Sequence, residues 1–138
     1  VFVFVHGLQR FKKLRSEDDF SFGGSGDSAG DPAAQFTTLV TEGSSLGMHL
    51  VVSIDTANNA GRYLNRKAMA EFEVRIIFQM SANDSARMID SPAAQDLGLY
   101  RALLYNEQAG TLETFRPYAM PPEGWISEAG AALAGRNL

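Results

Sequence analysis

Hydrophobic residues in this chain cluster in short runs separated by polar or glycine-containing breaks. Val1-Phe2-Val3-Phe4-Val5 is apolar at every position and ends on His6-Gly7. Unbroken β-branched and aromatic runs predict a strand buried on both faces, as at the centre of a parallel α/β sheet. A second such run, His49 to Ile54, ends at Asp55, and a third covers Val74 to Phe78. A central strand with no polar lead-in and no initiator Met predicts that these residues are a fragment of a longer protein.

Helical spacing fills the intervals. Leu8, Phe11 and Leu14, with Arg10, Lys12, Lys13 and Arg15 between them, predict a short basic helix. A Gly/Ser-rich stretch, about 21–31, predicts a flexible loop. Asp31-Pro32 is a helix start, with Asp as N-cap and Pro at the first helical position, and Phe36, Leu39 and Val40 form the buried stripe. Asn58 to Gly61 reads as a turn before a helix near 62–73. Short helices are expected from Ser81 and from Ser91-Pro92. Tyr100 to Tyr105 and Thr111 to Phe115 bracket a glycine-containing loop, which predicts a β-hairpin. Trp125 to Leu133 predicts a terminal helix, with the segment from Tyr118 to Trp125 packed in the core. The order of elements is that of an α/β sheet with an antiparallel edge. Ligands bind such sheets outside the carboxyl ends of the strands, here at His6-Gly7, Asp55-Thr56 and Gln79 to Asp84.

Composition narrows the chemistry little. The chain has 138 residues, 45% hydrophobic and 20% charged, with a net charge of −4. That suits one domain with its own core and argues against a general basic face for nucleic acid. Cysteine is absent, which excludes disulfides, zinc-thiolate sites and a cysteine nucleophile and fits a cytoplasmic protein. No apolar run reaches the roughly 18 residues of a membrane span.

Three small motifs invite chemical readings. Gly26-Asp27-Ser28-Ala29-Gly30 matches the G-x-S-x-G nucleophile elbow, and a strand ending in His-Gly is like an oxyanion-hole strand. Together they suggest a serine hydrolase using Ser28. Against this, the elbow lacks a preceding strand, and the only later histidine, His49, begins a strand. The glycine-rich stretch is no phosphate cradle either, because G-x-x-x-x-G-K-[ST] is absent. Asp55, after a buried strand, is either a ligand-facing carboxylate or an Asx cap on the following turn. Arg75, Arg87 and Arg101 are expected to pair with acids such as Asp84 and Asp90, with phosphate or interface contact as the alternative. The basic helix is expected to be a solvated face, with partner binding as the alternative.

From Leu46 to about Tyr105 the order of motifs resembles the FtsK/SpoIIIE-type translocase ATPases. The matching stretches are Leu46-Gly47-Met48-His49-Leu50-Val51-Val52, Arg75-Ile76-Ile77-Phe78, Asp84-Ser85, Ile89-Asp90 and Ala93-Ala94 through Leu97-Gly98. The resemblance implies a RecA-like P-loop NTPase fold, mostly parallel with an antiparallel hairpin at the edge, of which residues 1–138 form the C-terminal part without the Walker A half. It makes Val1 to Val5 the Walker B strand. The family's Walker B Asp and Glu then fall on His6 and Gly7, its trans-acting arginine finger on Ser44, and its polar sensor on Asp55. ATP and Mg²⁺ are implied for the full-length parent and not for the fragment. Other domains or subunits of the same ATPase are the implied partners, with DNA reached through the parent, and no membrane contact is implied in this segment. The expected function is a translocase or secretion-type motor fragment not competent for hydrolysis alone. The alternatives are the Ser28 hydrolase and a non-catalytic interaction module.

Overall fold

The computed structural model describes residues 1–15 and 30–135. The Ser28 elbow and most of the expected flexible loop lie outside the described residues.

Among the described residues five strands and five α-helices are arranged as a mixed α/β structure with two sheets. β1 (Phe2–Val5) pairs in parallel with β2 (His49–Val52), Phe2 opposite His49 and Val5 opposite Val52. β3 (Val74–Ile77), β4 (Ala102–Asn106) and β5 (Thr111–Phe115) form an antiparallel meander in the order β3-β4-β5. The single, mostly parallel sheet expected from the sequence is therefore replaced by one parallel pair and a separate antiparallel sheet. The hairpin is where the glycine-containing loop predicted it.

α1 (Pro32–Glu42) connects β1 to β2. Its start follows from local chemistry: the Asp31 carboxylate accepts from the amides of Ala33 (3.2 Å) and Ala34 (3.1 Å), and Pro32 needs no amide partner. α2 (Ala57–Tyr63) and α3 (Arg66–Ala70) connect β2 to β3. Asn58 to Gly61 is thus helix and not the expected turn, because the Thr56 hydroxyl accepts from Asn59 N and caps it. α4 (Ala82–Ile89) follows β3, and α5 (Trp125–Ala134) closes the described chain. The expected basic helix is two 3-10 turns, Leu8–Arg10 and Lys12–Leu14, and Pro92–Asp96 is likewise a 3-10 turn in place of a helix.

The helices cover one face of β1 and β2. Leu8, Phe36, Val40, Tyr63, Leu64 and Ala68 form a buried cluster against which Val5, Leu50, Val52 and Ile54 pack. Leu8 is fully buried, a contribution of about 1.5–3 kcal/mol for such a side chain. The opposite face is bare: Phe2 is 68% and Phe4 74% exposed, and Val51 is exposed beside them. The expectation that Val1 to Val5 is buried on both faces is overturned, because every helix packed against this pair lies on the side of Val5 and Val52. β3 repeats the pattern, with Ile77 buried and Val74, Ile76 and Phe78 exposed.

A second cluster, Ile77, Ile89, Ala94, Leu97 and Leu103, joins β3 and β4 to α4 and the turn after it. Ser85 sits in it fully buried; its Oγ donates to Ser91 O and accepts from Ala94 N (3.1 Å). Arg75 donates to the carbonyls of Phe72 (2.9 Å), Met69 (3.2 Å) and Met88 (2.6 Å) and to Glu107 (2.8 Å). Its acidic partner is thus Glu107, whereas Arg87 does lie 3.7 Å from Asp84. The expected packing of the Tyr118 to Trp125 segment fails: Tyr118 is fully exposed, Trp125 is half exposed, and α5 buries no residue.

Candidate functional site

Parallel pairing of β1 and β2 brings their carboxyl ends together, and with them His6, Gly7, Ser53 and Asp55. Ser53 organises the edge. Its amide donates to Val5 O (2.9 Å), and its carbonyl accepts from Leu8 N (2.9 Å). Its Oγ accepts from Gly7 N (2.9 Å) and lies 3.0 Å from His6 Nδ1. A hydroxyl that accepts from Gly7 can still donate its own proton to His6, an arrangement that corresponds to the Nε2–H imidazole. Gly7 adopts φ +71°, a left-handed conformation that turns the chain out of β1 and into the first 3-10 turn. That conformation aims the Gly7 amide at Ser53.

Asp55 lies at the same edge on the segment leading into α2. Its Oδ1 accepts from Asn59 Nδ2 (2.7 Å). Thr56 and not Asp55 caps the helix, so Asp55 is free of the Asx-cap role and is an exposed carboxylate at the strand ends. Ser44 is elsewhere. It lies in the 3-10 turn Gly43–Leu46 that precedes β2, at the opposite end of the strand from Asp55. There it lines a cavity of about 260 Å³ together with His49, Leu50, Glu71, Phe72 and Glu73. His49 is exposed at the start of β2, its ring 5.2 Å from that of Phe2.

Three of the four singled-out residues, His6, Gly7 and Asp55, are therefore brought to one edge, and Ser44 is not. Ser53 went unremarked in the sequence reading. Its signal was visible as the one hydroxyl inside an otherwise apolar strand run. The contacts at this edge are hydrogen bonds. The side chains of His6 and Gly7 carry no oxygen of the kind Mg²⁺ prefers, and one oxygen of the exposed Asp55 carboxylate accepts from Asn59. Among the described residues no group of three or more His, Cys, Asp or Glu could hold a metal ion. An oxyanion role for Gly7 would compete with the bond its amide makes to Ser53.

The basic turns line a separate open cleft of about 1240 Å³ with Gln9, Lys12, Lys13, Arg15, Thr37 and Asn65 at its walls. Tyr63 Oη donates to Gln9 O (2.9 Å) and fixes one wall to α2. Among the described residues no helix is long and apolar enough to cross a membrane.

Comparison with family models, with curated proteins and with solved structures finds no match for this chain.

Proposed function

We propose that the chain is the C-terminal part of an FtsK/SpoIIIE-like P-loop ATPase core, with a nucleotide-facing edge that does not hydrolyse ATP by itself. The parallel adjacency of β1 and β2 is the observation that supports this reading: it brings His6-Gly7 and Asp55, to which the resemblance assigns the Walker B and sensor roles, to one sheet edge. The motif order quoted above supplies the family, and the residues supply the loss of activity. The positions that the resemblance assigns to Walker B hold an imidazole and a glycine. The residues present do not fit Mg²⁺, so no hydrolytic step is assigned to them. The domain then acts beside active domains or subunits of the same motor, in the cytoplasm, with DNA or protein as cargo of the parent.

Sequencing the reading frame ahead of Val1 tests this. A G-x-x-x-x-G-K-[ST] following a strand pattern is the expected result, and its absence from the frame overturns the reading. The encoded protein is expected to bind ATP without releasing phosphate. Phosphate release that disappears in Asp55→Ala would instead make Asp55 a working replacement for the lost acids.

A second reading, an interaction module without a small-molecule site, draws on a different observation: the exposed Phe2, Phe4, Val51, Val74, Ile76 and Phe78 on the two sheets.

A further inference from the structure

Ser53 leaves the His6 ring with its proton facing outward. The Ser53 hydroxyl, 3.0 Å from Nδ1, accepts from the Gly7 amide and gives its own proton to the ring. That bond occupies the lone pair of Nδ1 and keeps the ring hydrogen on Nε2. A ring nitrogen binds a metal only through a free lone pair, so neither nitrogen of His6 offers one while Ser53 holds it. His6 is exposed, and among the described residues its Nε2 has no hydrogen-bond partner. Gly7 adds no charge, and at φ +71° it holds a conformation that a longer side chain strains. The edge therefore presents a hydrogen-bond donor where the resemblance expects a carboxylate. The acid it retains is Asp55, one oxygen of which accepts from Asn59 Nδ2 (2.7 Å). The two kinds of group treat a phosphate oppositely. A carboxylate repels it and needs a cation between, whereas an N–H donor approaches it directly.

We infer that this edge takes a nucleotide phosphate without a divalent cation, with His6 Nε2–H donating to a phosphate oxygen in place of the metal. The inference rests on the motor reading above and deepens it: the ligand is a metal-free nucleoside polyphosphate. Exchange of an acid for an imidazole is then a change in how the phosphate is held, and not only a loss of hydrolysis. Ser53 is a positioning residue, acting through the ring that it orients. Asp55 is the competing group, because an exposed carboxylate at the same edge is of the kind that holds Mg²⁺.

Isothermal titration of ATP into the full-length encoded protein, once in EDTA and once in Mg²⁺, tests this. The two dissociation constants are expected to agree within about threefold. His6→Ala is expected to weaken binding in EDTA by about tenfold or more, the loss of one hydrogen bond to a charged group. His6→Gln keeps an N–H donor and is expected to retain most of the affinity, which a purely structural role of the ring would not give. His6→Asp is expected to bind weakly in EDTA and to recover in Mg²⁺. Binding by the unsubstituted protein that falls about tenfold or more in EDTA overturns the inference and leaves the motor reading standing. If Asp55→Ala then removes the Mg²⁺ effect, Asp55 is the cation's ligand. Equal affinities of the unsubstituted protein and His6→Ala in EDTA also overturn the inference. Absence of ATP binding in both media overturns the motor reading and this inference together.

Discussion

Ser53 Oγ lies 3.0 Å from His6 Nδ1, joining residues 47 positions apart at the carboxyl ends of two parallel strands. The same oxygen accepts from the Gly7 amide, so a single hydroxyl fixes the chain where it leaves β1. Whatever this edge binds, its shape depends on that hydroxyl.

Removing it has a predictable cost. Ser53→Ala leaves the half-buried Gly7 amide without its partner and is expected to lower unfolding free energy by about 1–2 kcal/mol. His6→Ala, at an exposed ring, is expected to cost less, and the double variant less than the sum of the two. Urea denaturation of the three variants measures this. A Ser53→Ala midpoint equal to that of the parent would show that the hydroxyl is a bystander.

Gly7 has a conformational reason to be glycine that is separate from any catalytic history. At φ +71° a β-branched side chain is strained, whereas asparagine enters the left-handed region more readily. Gly7→Val is expected to lower the thermal midpoint clearly more than Gly7→Asn, and Gly7→Glu to be destabilising as well. An acid placed at position 7 is therefore not a simple restoration of a Walker B site. Equal midpoints for Val and Asn in thermal unfolding would remove the backbone argument.

Ser85 belongs to the Asp-Ser pair of the motif resemblance, yet its place is fully inside the second core. Ser85→Ala strands Ala94 N and Ser91 O away from water and is expected to cost about 1–3 kcal/mol. Ser81→Ala removes an exposed cap and is expected to cost about 1 kcal/mol. Chemical denaturation that ranks the two in the opposite order would show that the buried hydroxyl carries little.

Features governed by neighbouring residues could be read from the chain. The Asp31-Pro32 start of α1 uses contacts within three positions, and the hairpin follows from a glycine-containing loop between two apolar runs. Even the convergence of His6-Gly7 and Asp55 was expected, because parallel strands place their carboxyl ends together. The turn expected at Asn58 to Gly61 failed on a local contact, the Thr56 cap, whereas the basic helix failed partly on a distant one. Leu8 to Leu14 has helical spacing, but Gly7 in the left-handed region and the bond from Leu8 N to Ser53 O divide it into 3-10 turns.

The sequence by itself determined where the apolar strands begin and where the Asp31-capped helix starts, since hydrophobic runs and that capping group act over a few residues. Tertiary structure alone decided that Phe2 and Phe4 face outward, that Ser53 holds His6 and Gly7, and that β2 and β3 do not pair. Burial and hydrogen-bond partnership are properties of surfaces brought together across dozens of residues, and an unbroken apolar run reads the same whether one face is covered or two.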